Sequence, residues 1–69
     1  MLYNELKDEV YSAMAGSYLR EGQFIFNYIE DKYKVARQVQ YQDGVDCFYD
    51  DSKIPAFLKA SVERINNYL

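Results

Sequence analysis

Sixty-nine residues make one domain, 1–69, with no room for a second core, and a chain this short hides only about 60% of the surface its unfolded form exposes. With 49% hydrophobic and 17% aromatic residues the composition excludes disorder, while the absence of histidine and the single cysteine, Cys47, remove the commonest acid–base, metal and disulfide arrangements. The net charge of −3 and the scattered eight bases speak against binding a phosphate backbone.

The N-terminal stretch "MLYNELKDEV" lacks the basic region and apolar run of a secretion signal. No window approaches the roughly 18–20 apolar residues that a transmembrane helix needs. Together with the lone cysteine this predicts a cytoplasmic protein with no membrane partner. Residues 4–19 read as a first helix, with Asn4 as N-cap and Glu5, Asp8 and Glu9 near its positive end. Leu6, Val10, Met14 and Ser17 follow helical spacing, joined by Tyr3 and Ala13. Tyr11 and Tyr18 form a second stripe. Gly16 costs about 1 kcal/mol in a helix interior, and either ends the helix early or lets another backbone approach.

The middle of the chain supports two readings. Residues 22–33, "GQFIFNYIEDKY", place Phe26, Ile29 and Tyr33 on one helical face with Ile25 and Tyr28 beside them, yet Phe24, Phe26 and Tyr28 also alternate as in a strand. Val35, Arg37, Val39 and Tyr41 alternate likewise, and Asp43-Gly44 is a dipeptide preferred in hairpin turns. A helix would instead group Val35, Ala36 and Val39, with Asp43-Gly44 as its C-terminal stop.

The negative balance sits in residues 43–51, where Asp43, Asp46, Asp50 and Asp51 meet no base; elsewhere eight bases face seven acids. Within "FYDDSKIPAF" (48–57), Ser52 stands where an N-cap belongs and Pro55 falls in the first turn of the helix that follows, where its missing N–H costs nothing. Asp50 and Asp51 lie beside the positive helix end, and Phe48, Ile54 and Phe57 pack around the turn as a plug. The acid spacing does not match a calcium-binding EF-hand loop. No cofactor or metal is expected. Without a nearby base the Cys47 thiol is expected to keep its ordinary pKa, as a small buried hydrophobe. The last segment is an amphipathic helix to the chain end, with Ile54, Phe57, Leu58, Ser61, Val62, Ile65 and Leu69 on one side.

Two separated elements, "REGQFIFN" (20–27) and "DCFYDDSKIPAF" (46–57), resemble a group of very short bacterial and phage proteins with no assigned activity. That group carries Arg-x-Gly-Gln-x-x-Phe-Asn, a helical linker, then Asp-Pro-Phe-Tyr-Asp-Asp ahead of a final helix. The matching positions are Arg20, Gly22, Gln23, Phe26, Asn27, Asp46, Phe48, Tyr49, Asp50, Asp51, Ile54, Pro55 and Phe57. The chain departs at Cys47, where the group usually has proline, and in lacking a proline often found in the linker. The resemblance implies helix in the middle of the chain. The expected fold is therefore an all-α bundle of three or four short helices; the alternative is α+β, with a hairpin over 35–49 between two helices. Arg20 or Gln23 is expected to satisfy Asp46, Asp50 or Asp51, tying the start of the second helix to that of the last.

Missing catalytic sets and abundant tyrosine predict a non-enzymatic protein-binding module, and the resemblance implies a phage or mobile-element origin for it. Tyr11, Tyr18, Tyr28 and Tyr68 are its candidate contacts to a larger protein. The alternatives are an acidic mimic that occupies a partner's nucleic-acid-binding site, or a homo-oligomer such as a homodimer, since small domains gain stability by association.

Overall fold

The computed structural model describes residues 1–68, and among these there are four α-helices and no strand. Helix α1 spans Tyr3–Met14, α2 Glu21–Tyr33, α3 Ala36–Gln42 and α4 Ile54–Tyr68; a single 3₁₀ turn, Asp51–Lys53, leads into α4. Helices α2 and α4 form a central pair. Helix α1 packs on both, as does α3, and α1 and α3 do not meet. The Cα radius of gyration is 10.8 Å, matching the roughly 11 Å of a compact chain of this length.

Each helix contributes the stripe its periodicity marks out. Leu6 and Val10 come from α1, Ile25, Phe26 and Ile29 from α2, Ala36 and Val39 from α3. Ile54, Phe57, Leu58, Ser61, Val62 and Ile65 come from α4. Val35 and Cys47 complete the core from the connecting segments. Leu69, the last member of the α4 stripe, lies outside the described residues.

The hairpin alternative is overturned. A two-residue hairpin turn of the type Asp-Gly favours needs positive φ at both residues, but Asp43 has φ −91° and only Gly44 is left-handed, at φ +69°. The dipeptide stops α3, and beyond it the Val45 N–H reaches back to the Val39 carbonyl. Burial decides the matter, because the helix puts Val35, Ala36 and Val39 together under α2 and α4, whereas a strand would have turned Ala36 away from Val35 and Val39.

Two helix boundaries are corrected. Helix α1 begins at Tyr3, with the Glu5 carboxylate accepting the Leu2 N–H at 2.7 Å, so Asn4 is not its cap. It ends at Met14 rather than residue 19, because the chain leaves the helix through Ala15 and Gly16, which has φ +84°. Ser17 therefore lies outside the helix, and Ala13 is exposed. Ser52 is not an N-cap either. Asp50 takes that role, its Oδ1 accepting the Ser52 N–H at 3.0 Å and the Ser52 hydroxyl at 2.6 Å. Pro55 does fall in the first turn of α4.

Candidate functional site

The two sequence elements that carry the resemblance meet at the start of α2. The Arg20 Nε donates to Asp51 Oδ1 at 2.7 Å, and the same oxygen accepts the Gly22 N–H at 3.0 Å. Asp51 thus caps α2 from a loop 29 residues further along the chain. The Arg20 Nη2 also donates to the Phe48 carbonyl. Its hydrogen bond to Arg20, against a smaller opposing effect of burial, holds the Asp51 carboxyl below its usual range. The expected tie between the two helix starts is therefore made by Arg20 and Asp51. Gln23 takes no part in it among the described residues.

Gly22 lets the two elements touch. A methyl group there would overlap the Cys47 carbonyl oxygen and lie 2.6 Å from Asp51 Oδ1. The Cys47 thiol in turn donates to the Gly22 carbonyl at 3.4 Å and is fully buried. Burial, reinforced by the Asp46 charge, pushes its pKa up to about 12, correcting the expectation of an ordinary value. It is an inert core group.

The remaining acids of residues 43–51 are also engaged within the fold. Asp43 forms a two-pronged pair with Arg64, both contacts at 2.8 Å, and Asp46 accepts the Phe48 N–H at 2.8 Å. Among the described residues no three Asp, Glu or Cys side chains gather as a metal site would require.

The four candidate tyrosines divide. Tyr18 is fully exposed and Tyr68 largely so, although the Tyr68 hydroxyl bonds Gln38. Tyr11 and Tyr28 are half-buried, contrary to their assignment as exposed contacts. The Tyr11 hydroxyl donates to Glu21, and that of Tyr28 donates to Glu9 at 2.8 Å. Glu9 also accepts from Lys32 at 2.7 Å and from the Tyr33 hydroxyl at 2.7 Å. Burial opposes the Glu9 charge, but the donors Lys32, Tyr33 and Tyr28 outweigh it, and its pKa is lowered. This cluster clamps α1 to α2. Its signal in the sequence was only the spacing of Tyr28, Lys32 and Tyr33 along α2.

After Tyr18, the most exposed large hydrophobic residues among those described are Tyr41 and Tyr49, each nearly four-fifths accessible. They stand on a groove of about 550 Å³ between α2, α3 and the loop ahead of α4. Phe26 and Phe48, an edge-to-face pair with ring centroids 5.5 Å apart, form its apolar base. Asn27, Arg37 and Gln40 supply its polar lining. Four of the resembling positions (Phe26, Asn27, Phe48 and Tyr49) therefore line one concavity. Sequence reasoning missed Tyr41, Arg37 and Gln40 because the helical reading of 36–42 had not been fixed. Once it is, Arg37, Gln40 and Tyr41 fall at i, i+3 and i+4 on one face.

A second recess, also of about 550 Å³, lies between the end of α2 and the last turns of α4. Most of its polar groups are already committed, Lys32 and Tyr33 to Glu9 and Gln38 to Arg64 and Tyr68, while Lys34 makes no side-chain hydrogen bond among the described residues. The Tyr41–Tyr49 groove differs. Among the described residues the side chains of Asn27, Arg37 and Gln40 make no hydrogen bond, so they are available to a ligand. In comparisons with known proteins, the chain matches no family model, no curated protein and no solved structure.

Proposed function

We propose that the chain is a small protein-binding module, without catalytic activity of its own, that engages a larger protein through the Tyr41–Tyr49 groove. One observation carries this reading. The groove combines two exposed tyrosines with an arginine and two carboxamides whose side chains make no hydrogen bond among the described residues. Tyrosine and arginine are the residues most enriched where binding energy concentrates. A phage or mobile-element origin, which the resemblance implies, belongs to the same proposal and makes a host protein the first partner to seek. The acidic-mimic alternative is less well supported, since all four acids of residues 43–51 are engaged within the fold.

The test is affinity capture from host lysate with the native chain and with the Tyr41→Ala/Tyr49→Ala double variant. Both are first checked for equal thermal stability. A protein held by the native chain and lost from the variant is the expected result. Identical captured sets would overturn the proposal.

A further inference from the structure

The chain has three arginines, and the fold uses two of them internally: Arg20 pairs with Asp51 and Arg64 with Asp43. Arg37 forms no salt bridge among the described residues, although it stands one turn from Tyr41 on the wall of the groove. The Glu30 carboxylate is bonded to the backbone of Arg37 rather than to its guanidinium: Oε1 accepts the Arg37 N–H at 3.1 Å. Among the described residues the guanidinium is thus the one charge lining this concavity, and its planar fork of donors matches a carboxylate.

The other polar lining narrows the ligand further. Asn27 and Gln40 carboxamides each present an N–H donor and a carbonyl acceptor, the pair that an extended peptide backbone also offers. The Phe26–Phe48 base suits an apolar side chain, and Tyr41 and Tyr49 can cover it at low entropic cost. A nucleic-acid strand would fit the tyrosines, but it needs a run of cations, and here a single arginine stands on a chain of net charge −3. We infer that the groove takes an extended peptide segment with an acidic residue beside an apolar one, the carboxylate docking on Arg37. This inference rests on the groove being the binding surface and adds the chemistry of what enters it.

The experiment pans a displayed library of random linear peptides, each of about a dozen residues, on the folded full chain. Selected peptides are then titrated against the native protein and against Arg37→Gln, Arg37→Glu and Tyr49→Ala. The expected result is enrichment of Asp or Glu next to an apolar residue. Affinity should fall about tenfold or more with Arg37→Gln and further with Arg37→Glu, the scale for losing a charged hydrogen-bonded contact. Replacing the acid in the peptide by its amide should reproduce the Arg37→Gln loss and add nothing in that variant. Peptides without acids, lost with Tyr49→Ala but indifferent to Arg37→Glu, would overturn the carboxylate recognition and leave the groove as the binding surface. Binding unchanged in all three variants would overturn both, and failure to enrich any sequence would overturn the peptide inference. Tighter binding of a mixed-sequence single-stranded oligonucleotide in the groove, displacing the peptide, would also overturn it.

Discussion

At Gly22 two demands on one position conflict, and the tertiary one wins. Within a helix, replacing glycine by alanine normally stabilises by about 1 kcal/mol. Here the added methyl would meet the Cys47 carbonyl, which is main chain, and the Asp51 carboxylate, which cannot withdraw without losing the cap on α2. Gly22→Ala is expected to cost about 3 kcal/mol, the upper end for overpacking. That is close to the whole margin of so small a domain, and chemical denaturation followed by circular dichroism would read it. Ser61 presents the opposite case. Its hydroxyl is buried on the core face of α4 and has no hydrogen-bond partner among the described residues. Ser61→Ala removes an unsatisfied polar group at almost no change in volume, and should stabilise by about 1 kcal/mol. A lower denaturation midpoint for that variant would show that the hydroxyl has a partner in solution.

The start of α4 shows how one helix end can be built from three side chains with separate tasks. Asp50 accepts from Ser52 and so shapes the 3₁₀ turn, Asp51 turns away to cap α2, and Pro55 sits where no amide hydrogen is needed. Asp50→Ala should therefore lower the melting temperature, whereas Ser52→Ala, which leaves the Ser52 N–H bonded to Asp50, should change it little. Equal losses in the two variants would return the capping role to Ser52. Asp51→Asn should destabilise more than Asp50→Asn, because it weakens both the Arg20 pair and the cap on α2.

Over the whole molecule, the carboxylates set the acid limit of stability. Glu9, Asp43, Asp50 and Asp51 all titrate below their ordinary values of 4.5 and 3.8 in the folded state. The unfolded chain therefore takes up protons first as the pH falls. The stabilisation is complete above the ordinary values and is lost as the pH drops through the folded ones. At the alkaline end the shifts run the other way. Burial raises Cys47 from 9.0 to about 12, and burial together with neighbouring glutamates raises Tyr11, Tyr28 and Tyr33 above 10.0. These groups stay neutral in the fold while the unfolded chain ionises, so stability declines as the pH rises past 9.0. Thermal melts from acid to alkaline pH should trace a plateau that falls at both ends. Cys47→Ala should flatten part of the alkaline fall and leave the acid one unchanged.

The hydrophobic spacing of α4 was legible residue by residue, because an amphipathic stripe depends only on local order: Ile54, Phe57, Leu58, Ser61, Val62 and Ile65 are all buried as their positions predict. The pairing of Arg20 with an acid near Asp51 was legible too, through the resemblance of two separated elements. The state of residues 35–42 was not, since Val35, Val39 and Tyr41 fit alternation and helical spacing alike. Packing settled it, because only a helix lets Val35, Ala36 and Val39 share one interior. The same step created the groove, by turning Arg37, Gln40 and Tyr41 toward Phe48 and Tyr49. Whether a tyrosine is a clamp or a contact was likewise beyond the pattern. Tyr28 and Tyr41 look alike along the chain, and they differ because Glu9, from another helix, stands within 2.8 Å of the first hydroxyl. Local periodicity fixes which face a helix buries; which polar groups are then left without partners depends on distances between elements far apart in the chain.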